Sequence, residues 1–151
     1  MDFLFRVYAD SRAEEMALIA DWSEEQKDEF LRFQFRAQHS HYQSNYPDAR
    51  YDLILEGGRP IGRLYVCDLE EEIRLMDIAL LAAERGRGVG TELVKALLDR
   101  AAVLGKIVSL HVEEQNLAKH LYERLGFEDI DDVSFYKLMH WHPPGRGSEI
   151  S

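Results

Sequence analysis

Hydrophobic and polar positions alternate in two distinct periods along the chain, and the period changes mark the elements. Phe3–Tyr8 is a short run of strand-type residues and predicts an opening strand. Ser11 stands three residues before Glu14, and Ser23 three before Gln26, the spacing of two capping boxes. Behind the first, Met16, Ala17 and Ala20 recur at helical spacing. Behind the second, Phe30, Phe33 and Ala37 fall on one face, with Leu31 and Phe35 on its flank. Helices are therefore predicted over residues 11–21 and about 24–44, the second ended by Tyr46-Pro47-Asp48.

The pattern then shifts to strands. Tyr51–Glu56 and Pro60–Cys67 are joined by Gly57-Gly58, a hairpin signal, and Ile73–Leu81 is a third strand. Leu93, Ala96, Leu97, Ala101 and Leu104 mark an amphipathic helix, with Gly105 placed to end it. Lys106–Val112 reads as a strand. Asn116 can cap a short helix carrying Leu117, Leu121, Tyr122 and Leu125, stopped by Gly126. Phe127–Asp132 and Ser134–Trp141 are two closing strands. The order β-αα-βββ-α-β-α-ββ predicts an α/β (α+β) domain built on one mixed sheet. It occupies residues 1–142, and residues 143–151 are expected to form a flexible tail.

Composition narrows the function classes. At 151 residues, 46% hydrophobic, the chain has the length of one domain and material for a core. The net charge is −10, from 28 acidic and 18 basic residues, which argues against nucleic-acid binding and is compatible with a cationic substrate such as an amine. No stretch has the ~20 apolar residues of a membrane span. The first ten residues lack the pattern of a signal peptide. Cys67 is the sole cysteine, so no internal disulfide forms, and a cytoplasmic location is expected.

The most informative stretch is RGRGVG, residues 85–90, set between an apolar strand and an amphipathic helix. That context suits anion binding. The first N–H groups of a helix lack intrahelical partners, its dipole places about half a positive charge there, and glycines let backbone approach a phosphate. A tight structural turn is the competing reading. The loop is not a Walker loop, which needs a lysine after the last glycine. Nor is it a dinucleotide fingerprint, because Gly86, Gly88 and Gly90 alternate.

Arg85-Gly86-Arg87-Gly88-Val89-Gly90 resembles R-x-x-G-x-G, the acyl-CoA pyrophosphate loop of the GNAT N-acetyltransferase superfamily. Asn116–Phe127, NLAKHLYERLGF, resembles the family's N…A…LYE…GF segment. The resemblance covers about residues 50–140 by motif and the first 50 by element order. It implies a GNAT-like acyl-CoA N-acyltransferase fold. The implied function is transfer of an acetyl group from acetyl-CoA to a primary amine, by direct attack in a ternary complex and with no metal. It further implies that the loop, Arg85 through Gly90 with Thr91, holds the pyrophosphate. Leu80 would pair its backbone with the pantetheine arm, Asn116 would contact the cofactor, and Tyr122 would protonate the departing thiolate. Two departures stand out: Ala82-Ala83 replaces the frequent Pro-Glu before the loop, and the stretch from Asn116 to Tyr122 is one residue short.

A general base is also needed. His111 aligns with the strand position where family members carry a glutamate, and an imidazole suits proton removal near neutral pH. Asp77, Glu113 and a water chain compete with it. In the GNAT fold the second-helix region often lines the acceptor site, so the resemblance makes Arg36, His39, Tyr42 and Tyr46, in the stretch 35–46, acceptor-site candidates; a solvated helix face is the competing reading. His39 and His41, two apart on a helix, cannot share a metal; His140 and His142 lack further ligands, and Cys67 reads as a buried strand residue. The resemblance implies a small-molecule or peptide amine as the acceptor, and a homodimer is common in the family. A non-catalytic acyl-CoA-binding module, or another acyl donor or acceptor on the same fold, are the rival readings.

Overall fold

The structure is a computed structural model, and it describes residues 2–114, 116, 118–133 and 136–144. Leu117, Ser134 and most of the expected tail lie outside these residues. The helices are α1 (Asp2–Ser11), α2 (Ala13–Ala17), α3 (Glu24–Asn45), α4 (Val89–Leu104) and α5 (Ala118–Arg124). The strands are β1 (Arg50–Glu56), β2 (Arg59–Asp68), β3 (Glu72–Leu80), β4 (Ile107–Glu113), β5 (Glu128–Val133) and β6 (Tyr136–Trp141). Strand order is β1-β2-β3-β4-β6-β5. β3 and β4 are parallel while β4–β6 and β5–β6 are antiparallel, so the sheet is mixed as expected.

The chain falls into two compact units: residues 1–65 with 77–87, and residues 66–76 with 88–151. In the first unit α1 packs on α3. The opening segment is a helix, not the expected strand. Leu4, Val7 and Tyr8 are buried, and their i, i+3, i+4 spacing is that of one helical face. A six-residue aromatic and β-branched run fits either period, and the packing partner decides. The first capping box is also absent: Ser11 sits at the end of α1, where its hydroxyl donates to the Tyr8 carbonyl at 2.6 Å. The second box is present, with Ser23 accepting from Gln26 N and the Gln26 side chain accepting from Ser23 N. The buried face of α3 is turned from the expected one: Leu31 and Phe35 are buried, and Phe33 is 65% exposed.

The β1–β2 hairpin turns at Gly57 (φ 57°) and Gly58 (φ 80°), both positive as a two-residue type I′ turn requires. Gly62 on β2 has another cause. A Cβ there would run into the Ala79 carbonyl oxygen and come within 2.9 Å of Leu80 Cδ2, so β2 and the end of β3 meet through the missing side chain. Gly62→Ala is expected to destabilise the fold by about 1–3 kcal/mol. The urea midpoint should fall, and an unchanged midpoint would contradict the close approach.

In the second unit α4 and α5 pack on β4. Val108, Leu110 and Val112 are buried, as are Val94, Leu97, Leu98 and Ala101 of α4. Of the expected α4 stripe, Leu97 and Ala101 are buried; Val94 and Leu98 take further inner places, while Ala96 is exposed and Leu104 is 50% exposed. Gly105 ends α4 at φ 68°, with Gly105 N on Ala102 O and Lys106 N on Ala101 O, a Schellman cap. Gly126 ends α5 in the same way at φ 102°, with Gly126 N on Glu123 O and Phe127 N on Tyr122 O.

Candidate functional site

The lead-in to the glycine loop belongs to the first unit. After β3, Leu81 N donates to Ile61 O at 2.9 Å, and Ala82–Glu84 forms a single 3-10 turn. Asp10 of α1 accepts from Ala82 N at 2.5 Å, holding the turn where Pro-Glu was absent from the motif. Arg85 Nε donates to the Leu80 carbonyl at 3.1 Å. Glu84 is buried and pairs with Arg59 at 2.8 Å and Arg87 at 2.6 Å. Arg59, more than Arg87, holds its carboxyl below the usual range.

From Gly88 onward the loop belongs to the second unit. Gly88 is the N-cap of α4, at φ 82°, and supplies no side-chain cap. The first intrahelical bond is Glu92 N to Gly88 O at 3.0 Å, so the N–H groups of Val89, Gly90 and Thr91 precede the ladder. A Cβ on Gly86, Gly88 or Gly90 would meet nothing within 4 Å. Positive φ explains glycine at 86 and 88. Gly90 has neither a positive φ nor a crowded neighbour, so the fold itself does not require its lack of a side chain. These features fit an anion such as a pyrophosphate.

Two of the other expected site residues have visible structural roles. Asn116 is exposed, its Oδ1 accepting from Ala118 N at 2.9 Å to start α5. Tyr122 is buried, its ring 5.6 Å from that of Phe127. This is the apolar contact that accompanies a Schellman cap, so the Y-x-x-x-G-F spacing has a physical meaning in the fold.

His111 stands on β4 beside Arg74, whose Nη1 lies 3.2 Å from Nδ1. A guanidinium only donates, so Nδ1 accepts and the neutral ring carries its proton on Nε2. Arg74 also donates to Ser109 Oγ at 2.7 Å, and Ser109 bonds to Glu72. His111 is exposed at its edge, and partial desolvation on the strand, then the Arg74 charge, lowers its pKa from that of a free imidazole. Of the competing bases, Glu113 is exposed on the same strand. Asp77 belongs to the first unit, where it forms an ion pair with Arg63.

Sequence reading missed that pair. Arg63 is 3% exposed, donates to Gln38 at 3.2 Å and lies 4.9 Å over the Tyr65 ring. The signal was its place between Ile61 and Tyr65 on the inward parity of β2. Of the acceptor-site candidates in the same unit, His39 lies between Phe35 and Tyr51, at 6.0 and 5.5 Å. Tyr42 meets Tyr65 edge-on at 5.9 Å, and the Tyr46 carbonyl accepts from Tyr51 at 3.4 Å. Arg36 is exposed on α3. Cys67 is buried in β2. The described residues include no group of three or more metal-ligating side chains, and no helix among them is long and apolar enough to cross a membrane.

The mixed sheet and the glycine loop before α4 define an acyl-CoA N-acyltransferase fold. The chain belongs to the Acetyltransferase (GNAT) family, which it matches over residues 12–127. It is 32% identical over 79 residues to the [ribosomal protein bS18]-alanine N-acetyltransferase of Haemophilus influenzae, a match covering 52% of this chain. That match spans about half (54%) of the relative's length. Among solved structures, it is similar to the PaiA N-acetyltransferase of Thermoplasma acidophilum in complex with coenzyme A. The TM-score is 0.67 at 18% identity, over 93% of this chain and 91% of that one. It is also similar to the ribosomal-protein-S18-alanine N-acetyltransferase of Escherichia coli. There the TM-score is 0.57 at 22% identity, over 68% of this chain and 75% of that one.

Proposed function

We propose that this protein transfers an acetyl group from acetyl-CoA to a primary amine by direct attack in a ternary complex. The observation that carries the reading is the start of α4: a left-handed glycine N-cap without a side-chain cap, in a loop with open space at its glycines. In a GNAT family member this supports the N–H groups of Gly86 to Thr91 as the pyrophosphate grip. Leu80 offers backbone to the pantetheine arm, and Arg85 and Asn116 border the cofactor. The thioester supplies the activated acetyl group. Tyr122 carries a phenol O–H, a proton donor suited to protonating the departing thiolate.

His111 takes a proton from the acceptor's ammonium, and the neutral amine so formed attacks the thioester carbonyl while the CoA thiolate leaves. It can do so only when Arg74 releases Nδ1, because that lone pair is otherwise in use. The acid limb of kcat/KM should then lie below pH 6.5, activity falling as His111 is protonated. His111→Asn should remove this limb. Arg74→Gln should move it to higher pH, since the arginine charge is one of the two causes that lower the pKa. An acid limb that neither substitution moves would take His111 out of the reaction and leave the role to Asp77, Glu113 or water.

The acceptor is a small-molecule or peptide amine, and the net charge of −10 favours a cationic one. The Haemophilus relative's name makes a peptide with N-terminal alanine the first candidate to test. Free-thiol release from acetyl-CoA should be followed with such a peptide, with lysine peptides and with small amines. Turnover with one of them is expected. CoA binding with no turnover on any amine would favour the non-catalytic module.

A further inference from the structure

The two arginines of the glycine loop have different surroundings. Arg85 is exposed and donates Nε to the Leu80 carbonyl. Arg87 is gripped by two carboxylates. Its Nη1 and Nη2 meet the two oxygens of Glu56 at 3.2 and 3.1 Å, and Nη2 also meets Glu84 Oε2 at 2.6 Å. The other Glu84 oxygen takes Arg59 Nη1 at 2.8 Å. Glu56 and Arg59 flank the Gly57-Gly58 turn, and Glu84 closes the 3-10 turn before the loop. All four residues belong to the first unit. They form a closed network of two cations and two anions between the tip of the β1–β2 hairpin and the loop lead-in.

Such a network differs from an isolated surface pair. The Glu56–Arg87 contact is bidentate, and Glu84 is 11% exposed in its side chain, so its bonds are less screened than those of an open surface pair. Gly86, between Arg85 and Arg87, is at φ 80° with nothing packed where a side chain would be. A glycine so placed is conformationally free unless its neighbours are fixed. A guanidinium already facing two carboxylates also has little net charge to offer a phosphate.

We propose that the Arg87 side chain is a clasp rather than a phosphate ligand: Glu84 and Glu56 hold it, and this fixes the shape of the Arg85–Arg87 part of the loop, whose backbone faces the pyrophosphate. Glu84 is then a positioning residue for acyl-CoA. The inference rests on the acyl-CoA reading of the loop. The opposite account, in which Arg87 is a phosphate ligand masked by the carboxylates, predicts the reverse sign for one substitution. Removing the Glu84 charge weakens CoA binding if Arg87 is a clasp, and strengthens it if the carboxylates compete with phosphate.

The test is calorimetric titration of CoA into the full chain as wild type, Glu84→Gln, Arg87→Ala and the double variant, each checked for folding by thermal melting. Both single variants should raise the Kd roughly tenfold through lost preorganisation. The double variant should be no weaker than either single, because the two residues act as one unit. KM for acetyl-CoA should rise with kcat at saturation retained, and Glu84→Asp should restore part of the affinity. Glu56→Gln, in the exposed hairpin, gives the same reading should Glu84→Gln fail to fold. Tighter or unchanged CoA binding by Glu84→Gln, or by Glu56→Gln in its place, overturns the clasp while leaving the acyl-CoA reading intact. Absence of CoA binding by the wild type overturns that reading and the clasp with it.

Discussion

Gly90→Trp is expected to raise the Kd for acetyl-CoA at least about 100-fold, a loss of roughly 2.7 kcal/mol, without lowering the melting temperature. Gly90 is the second residue of α4, its φ is not positive, and a Cβ on it would meet nothing within 4 Å. A Cβ there therefore meets no clash and needs no strained backbone, and replacing glycine in a helix removes a propensity cost of up to about 1 kcal/mol. What it would do is fill the space before the first N–H groups of the helix. Gly88 is the poorer probe. At φ 82° any L-residue is strained, so lost binding would mix misfolding with blocking. Gly90→Trp that melts normally and binds acetyl-CoA as the wild type does would reduce the glycine loop to a structural turn.

Tyr122→Phe should lower kcat by about 10²–10⁴, the range of a positioned proton transfer, with acetyl-CoA affinity kept. The substitution keeps the ring, which serves the fold. Phenylalanine preserves the contact with Phe127 at 5.6 Å and the Schellman cap whose backbone bond runs from Phe127 N to Tyr122 O. Only the hydroxyl is lost. If Tyr122 served the cap alone, kcat would not move. A fall in kcat and kcat/KM together, with CoA binding unchanged, places the loss in the transition state.

Features of local chemistry were legible in the sequence. The Ser23–Gln26 box, the Gly57-Gly58 turn, and Gly105 and Gly126 as caps each depend on residues within a turn of one another, and the structure places them as read. Helical face and period were less secure. Phe3–Tyr8 satisfies both the strand and the helix pattern over six residues, and only burial of Leu4, Val7 and Tyr8 settles it. On α3, five apolar residues cover more than half the circumference, so reading Phe33 as inward was a choice between neighbouring faces. The site's ion pairs were the least legible. Arg63–Asp77 and Arg87–Glu56 join residues 14 and 31 positions apart, and no local pattern specifies such partners. Glu84 could have been singled out as the one charged residue of the Ala82–Glu84 turn, though its two arginine partners could not.

The central claim is that the RGRGVG loop and the start of α4 hold the pyrophosphate of an acyl-CoA. Its most direct test is titration of CoA into the wild-type chain at neutral pH. Saturable binding of one CoA per chain is expected, weakened when the pyrophosphate-bearing nucleotide is removed and only pantetheine is offered. Equal affinity for pantetheine and CoA, or no binding of CoA at millimolar concentration, would contradict the account.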